Sequence, residues 1–322
     1  MKEIYNNIIE INIPLPGSPL KTLSAYLIKG ERNLLIDTGL NIDICIDSLK
    51  GNLKKLNVSL DNTDIFLTHV HSDHSGMVSE VLNENNKLYM SYLDGKYLNE
   101  LIFIDYDKKI KIESKLFNIP KERVFNSGSD SPESNIISHY VDFISVAEED
   151  TLKVGDYTFE VIEISGHTPG HVGLYERKHK IFFCGDHIMN KISPNIVCWN
   201  DCADSLQLFT DNLKKVKKMD IDYMFPGHRG RVIDWKARID DLIEHHEQRC
   251  DEVLDAIKSG KHDVYQIAEV LNWDYKRGRF NEFHSLQVWF GTSETYAHLE
   301  HIRKKGRVSK KIINNKFYYE LI

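Results

Sequence analysis

At 322 residues, with 41% hydrophobic and 28% charged residues and a formal net charge of −7, the chain has the composition of an ordinary globular protein, with room for one large domain and a small one. It has no apolar run of about 18 residues for a transmembrane helix, and Met1-Lys2-Glu3-Ile4 lacks the basic-then-apolar layout of a signal peptide, so no membrane partner and a cytoplasmic location are expected. Its five cysteines (Cys45, Cys184, Cys198, Cys202, Cys250) are scattered and odd in number, which argues against a disulfide scaffold and for a reducing compartment.

Residues 3–37 read as a β-meander with a Pro-Gly-Ser-Pro turn and a Gly-Glu-Arg-Asn turn between apolar runs. Residues 40–56 carry a helical pattern, and 64–68 are the next strand, apolar at Ile65-Phe66-Leu67. Directly after it comes Thr68-His69-Val70-His71-Ser72-Asp73-His74-Ser75-Gly76, in which four ligand-type residues fall within six positions. Imidazole and carboxylate bind zinc, iron and manganese, and no cysteine is present here to make a zinc finger. His69 and His71 can share an ion if they sit on a turn, whereas Asp73 and His74 point elsewhere and would serve a second ion. A helix is expected to begin near His74 and to continue over 75–84.

About sixty residues then intervene before a strand at Tyr157. Within them 92–117 has helical spacing, and 127–138, rich in Ser, Pro, Asn and Asp, reads as loop. We expect an insertion over about 91–150 beside the site mouth, acting as a lid or pocket wall, with Tyr89, Tyr92, Phe103, Tyr106 and Phe117 as its aromatic candidates. Downstream, Ser165-Gly166-His167-Thr168-Pro169-Gly170-His171, Phe183-Cys184-Gly185-Asp186-His187 and Phe225-Pro226-Gly227-His228 each follow a strand-like apolar run (159–164, 180–183, 221–225). Ligands at the ends of successive strands are how a rigid sheet presents a metal site on its rim. Residues 192–195 should line the same rim.

Residues 235–259 form one amphipathic helix through Ile239, Leu242, Ile243, His246, Cys250, Val253, Leu254 and Ile257, closed by Gly260-Lys261, where we place a boundary. The tail reads as a helix over 264–271, a helix over 294–305, and a β-hairpin turning at Asn314-Asn315. Glu294 and His298 share a helical face that could approach the pocket.

The ordered set HxHxDH (His69 to His74), GHTPGH (Gly166 to His171), GDH (Gly185 to His187) and PGH (Pro226 to His228), with Leu35-Ile36-Asp37-Thr38-Gly39 upstream, strongly resembles the metallo-β-lactamase fold hydrolases over roughly residues 1–245. The resemblance implies an α+β fold, an αββα sandwich. It implies one ion on His69, His71 and His167, a second on Asp73, His74 and His228, and Asp186 bridging them. Asp37 would support the metal loop by hydrogen bonds, and His171 and His187 would bond behind the ligands. The tail resembles, in layout, the winged-helix appendix of the mammalian lactamase-like ribonuclease group and related bacterial hydrolases. The expected organisation is therefore a catalytic domain over 1–260 and a winged-helix-like domain over 261–322.

Two divalent ions about 3.5–4 Å apart lower the pKa of a bridging water toward neutrality, so the nucleophile is a metal-bridging hydroxide. Zinc is expected ahead of iron or manganese. Asp73 is the candidate catalytic residue, orienting the hydroxide or handling its proton. The resemblance to glyoxalase II and lactonase relatives implies a small-molecule thioester, lactone or other ester as substrate. The alternative is a metal-dependent ribonuclease whose winged helix contacts RNA, through the basic run Arg303, Lys304, Lys305, Arg307, Lys310 and Lys311. Residues 263–322 carry 10 Lys+Arg and 7 Asp+Glu, too weak an excess beside an acidic body, so nucleic acid is not favoured and a packing or homodimer role is preferred for the tail. A flavodiiron protein would want a glutamate at His71, and a single-iron dioxygenase would leave Asp73, His74 and His228 without purpose as ligands.

Overall fold

A computed structural model describes residues 1–125, 137–273 and 279–322. The N-terminal meander is β1 (Lys2–Tyr5), β2 (Ile8–Pro14), β3 (Thr22–Ile28) and β4 (Asn33–Ile36), all antiparallel neighbours. After α1 (Asp43–Lys55), β5 (Thr63–Phe66) returns parallel to β4. Two one-turn helices, α2 (Ser72–Ser75) and α3 (Val78–Val81), precede β6 (Leu88–Ser91), and α4 (Tyr92–Glu100) and α5 (Tyr106–Leu116) precede β7 (Ile144–Val146). These strands form one sheet in the order β1 to β7. The second sheet holds β8 (Thr151–Val154), β9 (Tyr157–Glu163), β10 (Val172–Glu176) and β11 (Ile181–Gly185), then, beyond α6 (Ser205–Lys217), β12 (Tyr223–Pro226); its order is β12-β11-β10-β9-β8.

Strand alternation builds the layers. Neighbouring residues point to opposite faces of a strand. Thus Ile8, Tyr26, Ile28, Leu34 and Phe66 enter a core shared with Phe159, Val161, Leu174 and Phe183 of the second sheet. Their neighbours Ile9, Leu27, Leu35 and Ile65 face a separate core with Leu49 and Leu53 of α1 and Leu98 of α4. The second sheet repeats the device: Ile162, Tyr175 and Phe182 turn away from the first sheet to meet Leu206, Phe209 and Leu213 of α6 and Ile239 and Leu242 of α7 (Trp235–Lys258). Helix, sheet, sheet and helix make the expected αββα sandwich. No described helix is long and apolar enough to cross a membrane.

Three local expectations change and a fourth is not tested. The helix expected over 75–84 is interrupted at 76–77 and ends at Val81, where Asn86 Nδ2 donates to the Val81 carbonyl (2.9 Å) and Asn86 Oδ1 accepts the Asn83 N–H (2.8 Å) to close a turn. The segment expected as an insertion is built into the sandwich: β6 and β7 are parallel neighbours in the first sheet. Its aromatics divide. Tyr92 and Phe103 are exposed, whereas Phe117 and Ile119 join the core of the C-terminal elements. The 127–138 loop lies outside the described residues except for its last two.

Those C-terminal elements are α8 (Val264–Val270), α9 (Ser285–Lys304) and the hairpin β13 (Val308–Ile313) and β14 (Lys316–Leu321). α9 begins nine residues before the expected start. Gly291, inside this helix, allows a close approach: a Cβ would stand 3.0 Å from the Phe280 ring and 3.3 Å from Trp273. Asn314 and Asn315 take φ of 53° and 58°, the left-handed pair that a two-residue hairpin turn requires. Phe117 packs 4.8 Å from Tyr296 of α9 and 6.3 Å from Phe317 of β14, and Asn118 donates to Asp263 (2.8 Å). Phe117→Ala should therefore lower stability by about 3–5 kcal/mol in urea unfolding. An unchanged midpoint would show that this segment does not share the C-terminal core.

Candidate metal centre

The histidine-rich turn is held by the strand before it. Asp37, at the end of β4 with φ 60°, accepts the Thr68 N–H (2.8 Å) and hydroxyl (2.9 Å) and the His74 Nδ1–H (2.7 Å). The Thr38 N–H (2.7 Å) and hydroxyl (2.8 Å) both donate to the His74 carbonyl. The turn therefore inherits its position from β4 and β5, which are paired in register. From the facing sheet, His167 follows β9, Asp186 follows β11 and His228 follows β12, all delivered to the same edge.

The seven predicted ligand residues converge. His69, His71 and His167 form one group whose ligand-type atoms lie within 4.8 Å of one another; Asp73, His74 and His228 form a second; His69, His74 and Asp186 form a third that overlaps both. Within them, His69 Nε2 is 3.1 Å from His71 Nδ1, His74 Nε2 is 3.2 Å from His228 Nε2, and Asp186 reaches His74 (3.3 Å), His228 (3.5 Å) and His167 (4.0 Å) with its two oxygens. Asp73 Oδ2 stands 3.3 Å from His228 Nε2. Gly227 is required for this approach, since a Cβ there would meet His74 Cε1 at 2.5 Å and Asp186 Oδ1 at 2.7 Å.

Four of the five imidazoles, all but His71, are anchored through the nitrogen that faces away. His69 Nδ1 bonds the Thr68 hydroxyl (3.0 Å), already committed as a donor to Asp37, so His69 is the donor in that pair. His167 Nδ1–H donates to the Asn195 carbonyl (2.9 Å) and His228 Nδ1–H to the Thr22 carbonyl (2.8 Å). In all four anchored rings, His74 included, the proton sits on Nδ1 and Nε2 carries the lone pair into the site. Two such lone pairs face each other between His74 and His228, and His167 Nε2 and Asp186 Oδ1 are buried with no hydrogen-bond partner. Converging acceptors with no donor among them suit a cation. The charges agree. Burial holds His69, His71 and His167 below the ordinary histidine value, His71 at about 3, so these rings are neutral and could serve as ligands. Burial also opposes charge on His74 and His228, but Asp186 and the other carboxylates facing them outweigh it and raise both, so the space between these two rings draws positive charge, whether a proton or a metal ion. Burial alone would raise Asp73, yet His74 and His228 hold it at about 2; Asp186 is likewise held far below the carboxylate range, chiefly by His228 and His74.

The family model of the metallo-beta-lactamase superfamily matches residues 21–228, a span that contains all seven converging residues. The chain belongs to the metallo-beta-lactamase superfamily. Among its relatives are the probable metallo-hydrolase YqjP of Bacillus subtilis, 22% identical and covering 98% of both chains, and the beta-lactamase-like protein 2 homolog of Caenorhabditis elegans, 26% identical over 80% of this chain and 72% of that one. The crystal structure of a metallo-beta-lactamase family protein from Thermus thermophilus superposes with a TM-score of 0.83 at 20% identity, covering 99% of this chain and 100% of that one. A beta-lactamase domain protein from Burkholderia ambifaria gives 0.83 at 18%, covering 100% and 93%. At these identities the likeness is one of fold, and it extends through the C-terminal elements.

Within this superfamily site His171 and His187 are both fully buried. The His171 ring stands 4.6 Å from His69 with no hydrogen-bond partner for either nitrogen among the described residues, whereas the Asn212 backbone lies close enough to His187 to act on its ring. The residue that sequence reasoning missed is Asp94. From the start of α4 it accepts the Val70 N–H (2.9 Å), the Thr168 hydroxyl (2.6 Å) and the Gly170 N–H (2.7 Å), so one carboxylate ties the His69–His71 turn to the His167 loop. Burial pushes it up to about 6 against those three donors. The Ser91-x-x-Asp94 spacing marks a helix start, where Ser91 Oγ accepts the Asp94 N–H (3.3 Å), but nothing local reveals the long-range bonds. Trp199 was also missed: its Nε1 donates to the His167 carbonyl (3.1 Å), and its ring stands 6.0 Å from His71.

Asp94→Asn keeps one acceptor oxygen but turns an amide toward a backbone donor. It should destabilise the fold by about 1–3 kcal/mol and lower metal affinity by about 10–100-fold. Thermal unfolding and metal titration check this, and wild-type affinity in Asp94→Asn would remove Asp94 from the site.

Proposed function

We propose that this metal-dependent hydrolase of the metallo-beta-lactamase superfamily acts on a small-molecule thioester, lactone or other ester. In this reading His69, His71 and His167 hold one divalent ion, Asp73, His74 and His228 hold the other, and Asp186 lies between them. The observation that carries it is the convergence of anchored Nε2 lone pairs and two carboxylates on one volume. When bound, such ions supply Lewis acidity and a water acidic enough to act as a nucleophile near neutral pH. Nitrogen and carboxylate donors accept zinc, iron or manganese, and we propose zinc, which elemental analysis of the purified protein checks.

The chain's own residues do the rest. His69, His74, His167, Asp186 and His228 are buried, whereas Asp73 keeps 20% of its side chain exposed and His71 is half-buried, so a substrate approaches from their side. Asp73 is ionised, and its Oδ2 is 3.3 Å from His228 Nε2, which leaves Oδ1 to orient the attacking water and take its proton. Trp199 forms an apolar wall beside His71.

A small substrate is supported over RNA by the fate of the basic run. Arg303 pairs with Glu300 (2.8 Å), Lys305 bonds Gln207 (2.6 Å) and Lys311 pairs with Glu320 (2.5 Å). Lys310 pairs with Glu300 (3.1 Å) and lies 3.6 Å above the Phe317 ring. Four of the six cations are thus engaged within the protein and poorly placed to reach phosphates.

The test is a panel of a glutathione thioester, an acyl-homoserine lactone and single-stranded RNA with metal-loaded protein. Thioester or lactone turnover is expected, lost on chelation, restored by zinc, and reduced about 10²–10⁴-fold in Asp73→Ala. RNA cleavage that disappears in Asp73→Ala, with no thioester or lactone turnover, would replace this reading with the ribonuclease one.

A further inference from the structure

One loop, residues 186–204 between β11 and α6, grips His167 at two points. The Asn195 carbonyl accepts its Nδ1–H (2.9 Å), and Trp199 Nε1 donates to its carbonyl (3.1 Å). The loop is itself suspended between two helices. From α7, Arg238 donates to the carbonyls of Met189 (2.9 Å) and Ile192 (2.7 Å). From α9, Glu294 Oε2 accepts Asn195 Nδ2–H (3.0 Å), and the same amide reaches the Phe290 carbonyl at 3.5 Å. α9 is pinned at that level: the Glu294 carbonyl accepts His298 Nδ1–H (2.8 Å), which leaves His298 Nε2 to accept His246 Nδ1–H of α7 (3.1 Å).

A continuous set of hydrogen bonds therefore runs from the C-terminal helix through Glu294 and Asn195 to the ring of His167. The last bond sets both the tautomer and the orientation of that ring, and the carbonyl making it belongs to the residue whose side chain Glu294 holds. We propose that Glu294 is a positioning residue for the metal centre: by fixing Asn195 it aims His167 Nε2 into the site, so α9 helps to build the centre although none of its residues lies in a ligand group. This rests on the metal reading above. Burial pushes the Glu294 carboxyl up to about 7 against the opposing pull of the Arg249 charge and the Asn195 amide, a cost that an apolar side chain at this position would avoid. A hydrogen bond that served loop stability alone would act on the unfolding temperature and leave metal affinity unchanged.

The experiment is titration of metal-free protein with Co²⁺, followed by its visible absorption bands, alongside thermal unfolding of the metal-free protein. Glu294→Ala should weaken uptake of one of the two ions by about tenfold and alter the bands, with the metal-free midpoint within about 4 °C of wild type. Asn195→Ala keeps the carbonyl but loses the tether and should show the same loss, and the double variant no further loss, because the two residues act through one bond. Glu294→Gln should retain affinity within about threefold, since its amide oxygen accepts the same N–H. Wild-type cobalt binding in Glu294→Ala, additive losses in the double variant, or a loss in Glu294→Gln equal to that in Glu294→Ala would each overturn the proposal. If Glu294→Ala fails to fold, Glu294→Gln and Asn195→Ala decide it alone. Wild-type protein that takes up no cobalt would sink the metal reading itself, and this inference with it, which is distinct from failure of Glu294→Ala to differ.

Discussion

Crowded polar groups govern this molecule. His74 and His228 bring their Nε2 atoms to 3.2 Å, with Asp186 and Asp73 beside them, in a place with little access to water. A buried acceptor without a donor costs about 1–3 kcal/mol, and several are gathered here. Such an arrangement persists only when the groups behind it are held more firmly than these repel one another. The acceptors behind the rings, Asp37 for His74, Thr22 for His228 and Asn195 for His167, supply that hold and at the same time decide which nitrogen faces inward.

The sandwich is what makes the hold firm. The packed layer between the sheets fixes the ends of β4 and β5 against those of β9, β11 and β12, so loops from both sheets meet at one edge with little freedom left. Asp94 then couples the two sets of loops directly, spanning from Val70 on one side to Thr168 and Gly170 on the other. Its burial raises the carboxyl, while its three donors favour the ionised form. This is the balance expected of a buried carboxylate retained for the geometry it imposes.

The C-terminal elements are joined to this arrangement on two sides. Phe117 and Ile119, from the segment after α5, sit in the same core as α8, α9 and the hairpin, and Arg123 donates to the carbonyls of Phe280 (3.2 Å) and Phe283 (2.8 Å). On the other side α9 reaches the loop that grips His167. The basic run near the end of the chain resolves into internal pairs, and Lys310 lies over aromatic rings as part of the packing. A charge pattern in sequence cannot distinguish that arrangement from a solvated patch, because the partners come from Gln207, Glu300, Tyr296 and Glu320 on three different elements.

By itself the sequence determined the alternation of the strands, the asparagine turn of the hairpin and the placing of ligand-type residues directly after apolar runs, all written in local spacing; the sandwich and the full set of seven residues that meet at the edge came from the resemblance of its motifs to a known family. It left β7 inside the segment expected as an insertion because a three-residue strand leaves almost no periodicity, and it began α9 nine residues late, where Gly291 carries no local mark of the Phe280 and Trp273 rings pressed against it. Tertiary structure alone decided which nitrogen of the anchored histidines turns inward, that Asp94 and Trp199 bond to the loops carrying His69, His71 and His167, and that Glu294 bonds Asn195 behind His167. The physical reason is distance along the chain: the His74–His228 approach joins residues 154 apart, Asp94 to Gly170 spans 76 and Asn195 to Glu294 spans 99. A hydrogen bond between such residues leaves no trace in the neighbours of either one.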